Sequence, residues 1–164
     1  ALSWGLTGPV LRGSGVKWDL RKVQPADCGY GEFDFDIPIG QGLKGTVGDC
    51  WDRYYVRVLE MKESVKIVRQ ALDKLASATG DVLDKRGKTL KMPNDSIYYE
   101  MENPRGQLGF YVQGNGSTIP ARIKARGPSF CNLSITSHVC TNCLLADVAA
   151  IIGSIDVVMG EVDR

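Results

Sequence analysis

The stretch after Gly48 constrains this chain more than any other. Trp51, Tyr55, Val58, Met61, Val65, Val68, Leu72 and Leu75 recur at steps of three and four residues, the period of one apolar stripe on an α-helix. Asp49 stands where an N-cap carboxylate accepts first-turn amides. Asp52 lies in the first turn, where a negative charge meets the positive end of the helix dipole. The spacing predicts a helix over about 49–75, about 40 Å long at 1.5 Å per residue. A stripe of that length requires another helix, or several, to cover it.

Around this helix the signals are shorter. Residues 1–32 are glycine-rich and hold neither a period of two nor of 3.6, which reads as loop and short turns with one helical turn before Gly13. Phe33-Asp34-Phe35-Asp36-Ile37 alternates apolar and acidic like a half-buried strand, placed at an edge or an end by Pro38. Residues 76–95 are polar and small, a loop or insertion. Ile97–Met101, Gly106–Gln113 and Ser117–Ala125 read as an antiparallel meander. Asn103-Pro104-Arg105-Gly106 and Gly114-Asn115-Gly116 supply its reversals. Cys140–Ile152 reads as a short helix stopped by Gly153. The fold class is therefore α+β, predominantly helical, in one unit over 1–164.

Composition narrows the function. With 43% hydrophobic and 24% charged residues the chain can bury a core, and 20 basic against 19 acidic side chains give no reason to expect nucleic acid or an anionic surface as partner. No stretch approaches the roughly 20 consecutive apolar residues of a membrane span. Five cysteines (Cys28, Cys50, Cys131, Cys140, Cys143) form an odd, sparse set that favours a reducing compartment. The chain begins at Ala1 without Met, inside sequence that reads as ordered, so a longer parent is expected.

Asp156, between Ile155 and Val157, is the residue that most needs explaining. A carboxylate in an apolar run requires a partner or a cavity, because an unpaired buried charge is costly. Gly40-Gln41-Gly42-Leu43-Lys44-Gly45 matches a dinucleotide-binding pattern. The helix cap at Asp49 comes four residues too late for its amides to meet a pyrophosphate, so a plain loop is favoured. Cys140 and Cys143 with His138 are metal-type ligands without a fourth, so structural cysteines are favoured. Arg53 and Arg57 lie four apart on the long helix, and Arg122, Lys124 and Arg126 alternate along one face of a strand. Asp52, Arg53 and Arg126 are candidates for structural ion pairs, Arg126 in particular for a buried one.

Several segments, taken together and in order, resemble one family: Gly5 to Arg21, Gly48-Asp49-Cys50-Trp51-Asp52-Arg53-Tyr54, Asn103-Pro104-Arg105-Gly106-Gln107-Leu108-Gly109, Arg126 to Leu133, and Leu145-Ala146-Asp147 to Arg164. They look like the D (49 kDa) subunit of respiratory NADH:quinone oxidoreductase, complex I. The resemblance implies the C-terminal part of a subunit more than twice this length, with the fold of the nickel–iron hydrogenase large subunit. It implies a quinone cavity shared with an iron–sulfur partner subunit that holds the last cluster. It further implies other peripheral-arm and membrane-arm subunits as partners, and a peripheral position on the cytoplasmic face of a bacterial inner membrane or the matrix face of the mitochondrial one. The family's quinone-holding histidine and tyrosine lie in its N-terminal part, and His138 does not stand in for them.

Where the hydrogenases carry Asp-Pro-Cys-x-x-Cys, this chain keeps Asp156 and has Val158 and Glu161 at the cysteine positions, so the resemblance implies no metal held here. The implied quinone-cavity residues are Asp156, Val157, Val158 and Met159; for Asp156 an ion pair with a structural arginine is the equal alternative. No catalytic residue is implied within the chain. Val157 in place of the usual proline, Gly127 in place of alanine or proline, the polar 76–95 segment and the Cys140/Cys143 pair depart from the family. Alone, the piece is expected to be inactive and to self-associate. An assembly module of the same complex is the alternative, and a hydrogenase relative a weaker one.

Overall fold

In the computed structural model, which describes residues 1–24, 29–83 and 89–163, the glycine-rich start of the chain supplies much of the core. A 3-10 turn at Leu2–Trp4 leads to helix α1 (Gly8–Gly13), the helical turn expected before Gly13, and then to α2 (Leu20–Val23). Leu6, Val10 and Leu11 pack with Ile135 and Ile155 as one buried cluster, joined by Val16, Val139 and Val157. The glycines permit this. A Cβ on Gly40 would lie 1.9 Å from the Gly13 carbonyl oxygen, so two backbones meet where a side chain has no room.

The long helix forms as its spacing predicts. Helix α3 (Cys50–Ala76) opens with the Asp49 carboxylate accepting the Asp52 amide at 2.8 Å. Its first turns are covered, with Asp52, Arg53 and Val56 buried against α1. Farther along, Met61, Val65, Val68, Leu72 and Leu75 are all exposed. The stripe is real, and the described residues leave it exposed.

Phe33–Ile37 makes no strand pairing among the described residues; it runs extended along α3 instead. Gln70 Oε1 accepts from the Asp34 amide at 2.8 Å, Gln70 Nε2 donates to the Asp34 carbonyl at 2.7 Å, and Glu63 accepts from the Asp36 amide at 2.8 Å. Helix side chains thus replace a strand partner. The alternation is expressed as burial, with Phe35 inside beneath Lys22 (4.0 Å) and Arg21 (5.0 Å) and both acids outside.

The sheet has the expected antiparallel order β1 (Ser96–Asn103), β2 (Gly106–Gln113), β3 (Arg122–Arg126). Strand β3 starts later than 117 because the Ser117 hydroxyl bonds locally to Ile119 and Pro120 has no amide to donate. Residues 77–83 and 89–95 carry no helix or strand. On one sheet face Ile97, Met101, Phe110 and Ile123 are exposed, a second uncovered apolar surface.

After β3 come short helices: α4 (Pro128–Leu133), α5 (Thr136–Val139), a 3-10 turn at Leu145–Asp147, α6 (Val148–Ile155) and α7 (Met159–Val162). The expected helix over Cys140–Ile152 is corrected at both ends. Asn142 is left-handed (φ 59°) and Leu144 extended, which breaks any helix before 145. Helix α6 continues through Gly153 and stops at Asp156.

Candidate functional site

Asp156 ends α6 in the left-handed conformation (φ 59°, ψ 56°), which non-glycine residues adopt only at an energetic cost. Its side chain is 40% exposed and lies between two arginines from different parts of the chain. Arg57 Nη1 from α3 is 3.1 Å from Oδ2, and Arg105 Nη2 from the β1–β2 turn is 3.5 Å from Oδ1. Arg57 Nη2 also donates to the Ile155 carbonyl at 3.2 Å, satisfying one of the helix-end acceptors. Burial lowers the Arg57 pKa from its ordinary value, with the Asp156 charge opposing. A guanidinium in this setting still keeps its proton.

The backbone at Arg105 is itself anchored. Asn132 accepts the Thr7 amide at 3.0 Å and donates to the carbonyls of Thr7 and Arg105, both at 3.2 Å, tying α4, the start of α1 and the hairpin tip together. Beside the carboxylate, an open groove of about 590 Å³ runs between α3 and α6, lined by Trp51, Tyr54, Arg57, Ala150, Gly153 and Asp156. Trp51 stacks on Tyr55 at 5.7 Å, giving the groove an aromatic wall.

The residues after Asp156 divide. Val157 packs against the core cluster, whereas Val158 and Met159 are exposed. The Val158 amide donates to Ser129 Oγ at 3.3 Å, and Glu161 accepts from the Ser129 amide at 3.0 Å. Glycine at 127 fits this contact, because a Cβ there would lie 2.8 Å from Glu161 Cγ.

The arginines and acids singled out on sequence take varied roles. Asp52 faces backbone amides: Oδ2 accepts from Gly42 at 2.8 Å and Gly48 at 3.3 Å, folding the glycine loop onto the start of α3. Arg53 is buried and joins Ser154 Oγ (2.9 Å), Cys50 Sγ (3.1 Å) and the Gly48 carbonyl. Arg126, a candidate for a buried ion pair, is half-buried and donates to the Gln107 carbonyl at 3.3 Å.

The buried ion-pair centre is Arg12, which no sequence motif singled out. At 2% exposure it meets Glu60 at 2.5 Å, Glu102 at 2.8 Å and Asp19 at 3.4 Å, and Asp19 also holds Arg21 at 2.6 Å. A cavity of about 380 Å³ opens between Arg12, Arg21, Arg57, Glu60 and Glu102. The available signal was a charge inside Val10-Leu11-Arg12-Gly13, the same signal that marked Asp156.

The remaining motifs carry less. Gly40–Gly45 is a loop pinned by Asp52, not a strand-to-helix turn. Cys140 and Cys143 sit in a turn where Cys143 Sγ donates to the Cys140 carbonyl at 3.1 Å, and burial pushes the Cys140 thiol pKa up, with Cys143 adding to it. His138 packs near Trp4 at 5.9 Å. Cys28 lies outside the described residues. Among the described residues no three His, Cys, Asp or Glu side chains converge as a metal site, and no helix is long and apolar enough to cross a membrane.

Residues 1–90 and 81–164 match the family described as the respiratory-chain NADH dehydrogenase 49 kDa subunit. The whole chain aligns with a D-type subunit of the NADH-quinone oxidoreductase of Cytophaga hutchinsonii at 49% identity over 170 residues, covering 43% of that protein. It aligns with the corresponding protein of Herpetosiphon aurantiacus at 48% over 166 residues, again covering 43%, and with that of Chlorobaculum tepidum at 47% over 168 residues, covering 41%. The chain thus spans less than half the length of these relatives. With every segment matched, the chain belongs to the 49 kDa, or D-type, family of respiratory NADH:quinone oxidoreductase subunits.

Proposed function

We propose that this chain is the part of the 49 kDa-type subunit of complex I that contributes the Asp156–Met159 wall of the quinone cavity. The observation that carries the reading is the arrangement at the end of α6. A partly exposed carboxylate held by two arginines is followed, after the core-packed Val157, by exposed Val158 and Met159. An apolar wall with one fixed polar group suits a ring ligand carrying carbonyl oxygens. The rest of the cavity comes from the remainder of the subunit and from an iron–sulfur partner subunit, whose terminal cluster delivers the electrons. The uncovered stripe on α3 and the uncovered sheet face are the surfaces such neighbours would occupy. The subunit sits peripherally on the membrane, in a fold related to the hydrogenase large subunit.

A hydrogenase-type metal role is disfavoured by the side chains at the two cysteine positions. Val158 has no donor atom on its side chain, and Glu161 is engaged with the Ser129 amide. The assembly-module alternative differs in what Val158 should do. Val158→Met in the intact complex is expected to change the concentration of a quinone-site inhibitor needed for half-inhibition by about tenfold or more, a methylene-scale change in an apolar wall. An unchanged inhibitor response with reduced complex on native gels would favour the assembly module instead.

A further inference from the structure

Three locally unfavourable features converge on one side chain. Asp156 holds a left-handed backbone without being glycine. Arg57 and Arg105, two like charges, approach the same carboxylate. The Nε of each is buried without a hydrogen-bond partner among the described residues. Unpaired buried donors and αL residues each lower stability, and a chain retains several at one point where the geometry they produce is itself used.

That geometry is a fixed direction for the Asp156 carboxylate. Arg57 reaches it from the long helix and at the same time holds the Ile155 carbonyl, so the carboxylate and the helix end move as one. Arg105 reaches it from a hairpin tip whose backbone is clamped by Asn132 and pressed against Gly8. The carboxylate is therefore located from three elements (α3, α6 and the β1–β2 turn), while part of it stays exposed toward the groove. A surface ion pair serving stability alone needs only one of these contacts.

We infer that Arg57 and Arg105 are positioning residues for quinone reduction, acting through Asp156 by fixing where its carboxylate meets the bound quinone. This rests on the cavity reading of Asp156. Neither arginine is assigned contact with the substrate.

The test is a double-mutant cycle in the intact, membrane-bound complex, with NADH as donor and a short-chain soluble ubiquinone as acceptor. Rates are normalised to NADH:ferricyanide activity, which does not use the quinone site. Asp156→Asn and Arg57→Gln are each expected to lower kcat/KM for the quinone about tenfold, mainly through KM, and the double variant to be no worse than Asp156→Asn within about twofold. Arg57→Lys, which keeps the charge but lacks the two-nitrogen fork that spans Asp156 and the Ile155 carbonyl, is expected to fall between wild type and Arg57→Gln. It carries the same cycle if Arg57→Gln does not accumulate. Arg105→Gln is expected to follow Arg57→Gln with a smaller loss. Additive losses near a hundredfold in the double variant, or normal quinone kinetics in Arg57→Gln while Asp156→Asn is impaired, would overturn the positioning role and leave the cavity reading standing. Normal kinetics in Asp156→Asn would remove both.

Discussion

Arg12→Ala is expected to lower the stability of the folded chain by about 3–5 kcal/mol, the range for removing one partner of a buried ion pair. The guanidinium is 2% exposed and faces Glu60, Glu102 and Asp19, so its loss leaves three carboxylates near one another, compensated in part by Arg21 on Asp19 and by the charge of Arg57 near Glu60. Against a typical total stability of about 5–15 kcal/mol, that removes a large fraction of the margin, and unfolds much of the population only if the total lies at the low end of the range. The network joins α1, α3 and β1, so assembled complex should fall as well. Denaturant titration and native gels would check the two effects, and a loss below about 1 kcal/mol would show that the network is not holding the fold.

The pH dependence of that deficit has a definite sign. Burial pushes the Glu102 carboxyl pKa above the usual range, and the Arg12 charge and hydrogen bond oppose it. Without Arg12 the folded-state value lies farther above the unfolded one. Stability from the bound proton is then full below the unfolded carboxyl pKa and is lost as the pH rises through the folded value. The deficit of Arg12→Ala should therefore shrink as the pH is lowered from neutral.

Gly8→Ala is expected to have the second large effect, and Gly5→Ala isolates its cause. Both glycines are left-handed, at φ 65° and 66°, so alanine at either costs about 1–2 kcal/mol in backbone conformation. A Cβ on Gly5 would meet nothing within 4 Å, whereas on Gly8 it would lie 2.4 Å from Gly106 Cα and 2.5 Å from the Arg105 carbonyl oxygen. Those neighbours are backbone and cannot turn aside. Gly8→Ala should therefore exceed Gly5→Ala by at least about 1–3 kcal/mol in a denaturation series. It should also disturb Arg105, whose carbonyl lies at the contact. Equal effects of the two substitutions would mean that the hairpin tip moves freely.

What could be read in the residues beforehand was largely what depends on near neighbours. Asp49 as a cap, the three-and-four spacing of α3, and the Pro104-Arg105 reversal are local chemistry, and each appears in the structure as expected. Asp156 was identifiable because an acid in an apolar run needs a reason, although its two partners lie 99 and 51 residues away. Arg12 carried the same kind of signal inside Val10-Leu11-Arg12-Gly13 but within a glycine-rich stretch that reads as loop, and its partners Glu60 and Glu102 lie 48 and 90 residues away. The glycine-rich beginning read as loop because glycine is usually a turn residue; here it lets backbones touch in the core. Phe33–Ile37 showed the right alternation but pairs with the side chains of a helix. Gly153 looked like a helix stop, yet the helix ends where Arg57 holds Asp156.

The most direct measurement is photolabelling of the intact complex with a photoreactive quinone analogue, followed by peptide mapping with and without excess unlabelled quinone. Label within 156–159 that competing quinone removes would place this segment on the cavity wall. Quinone-protected label confined to other segments and subunits, with none in 156–159, would contradict that placement and leave the chain a structural part of the complex.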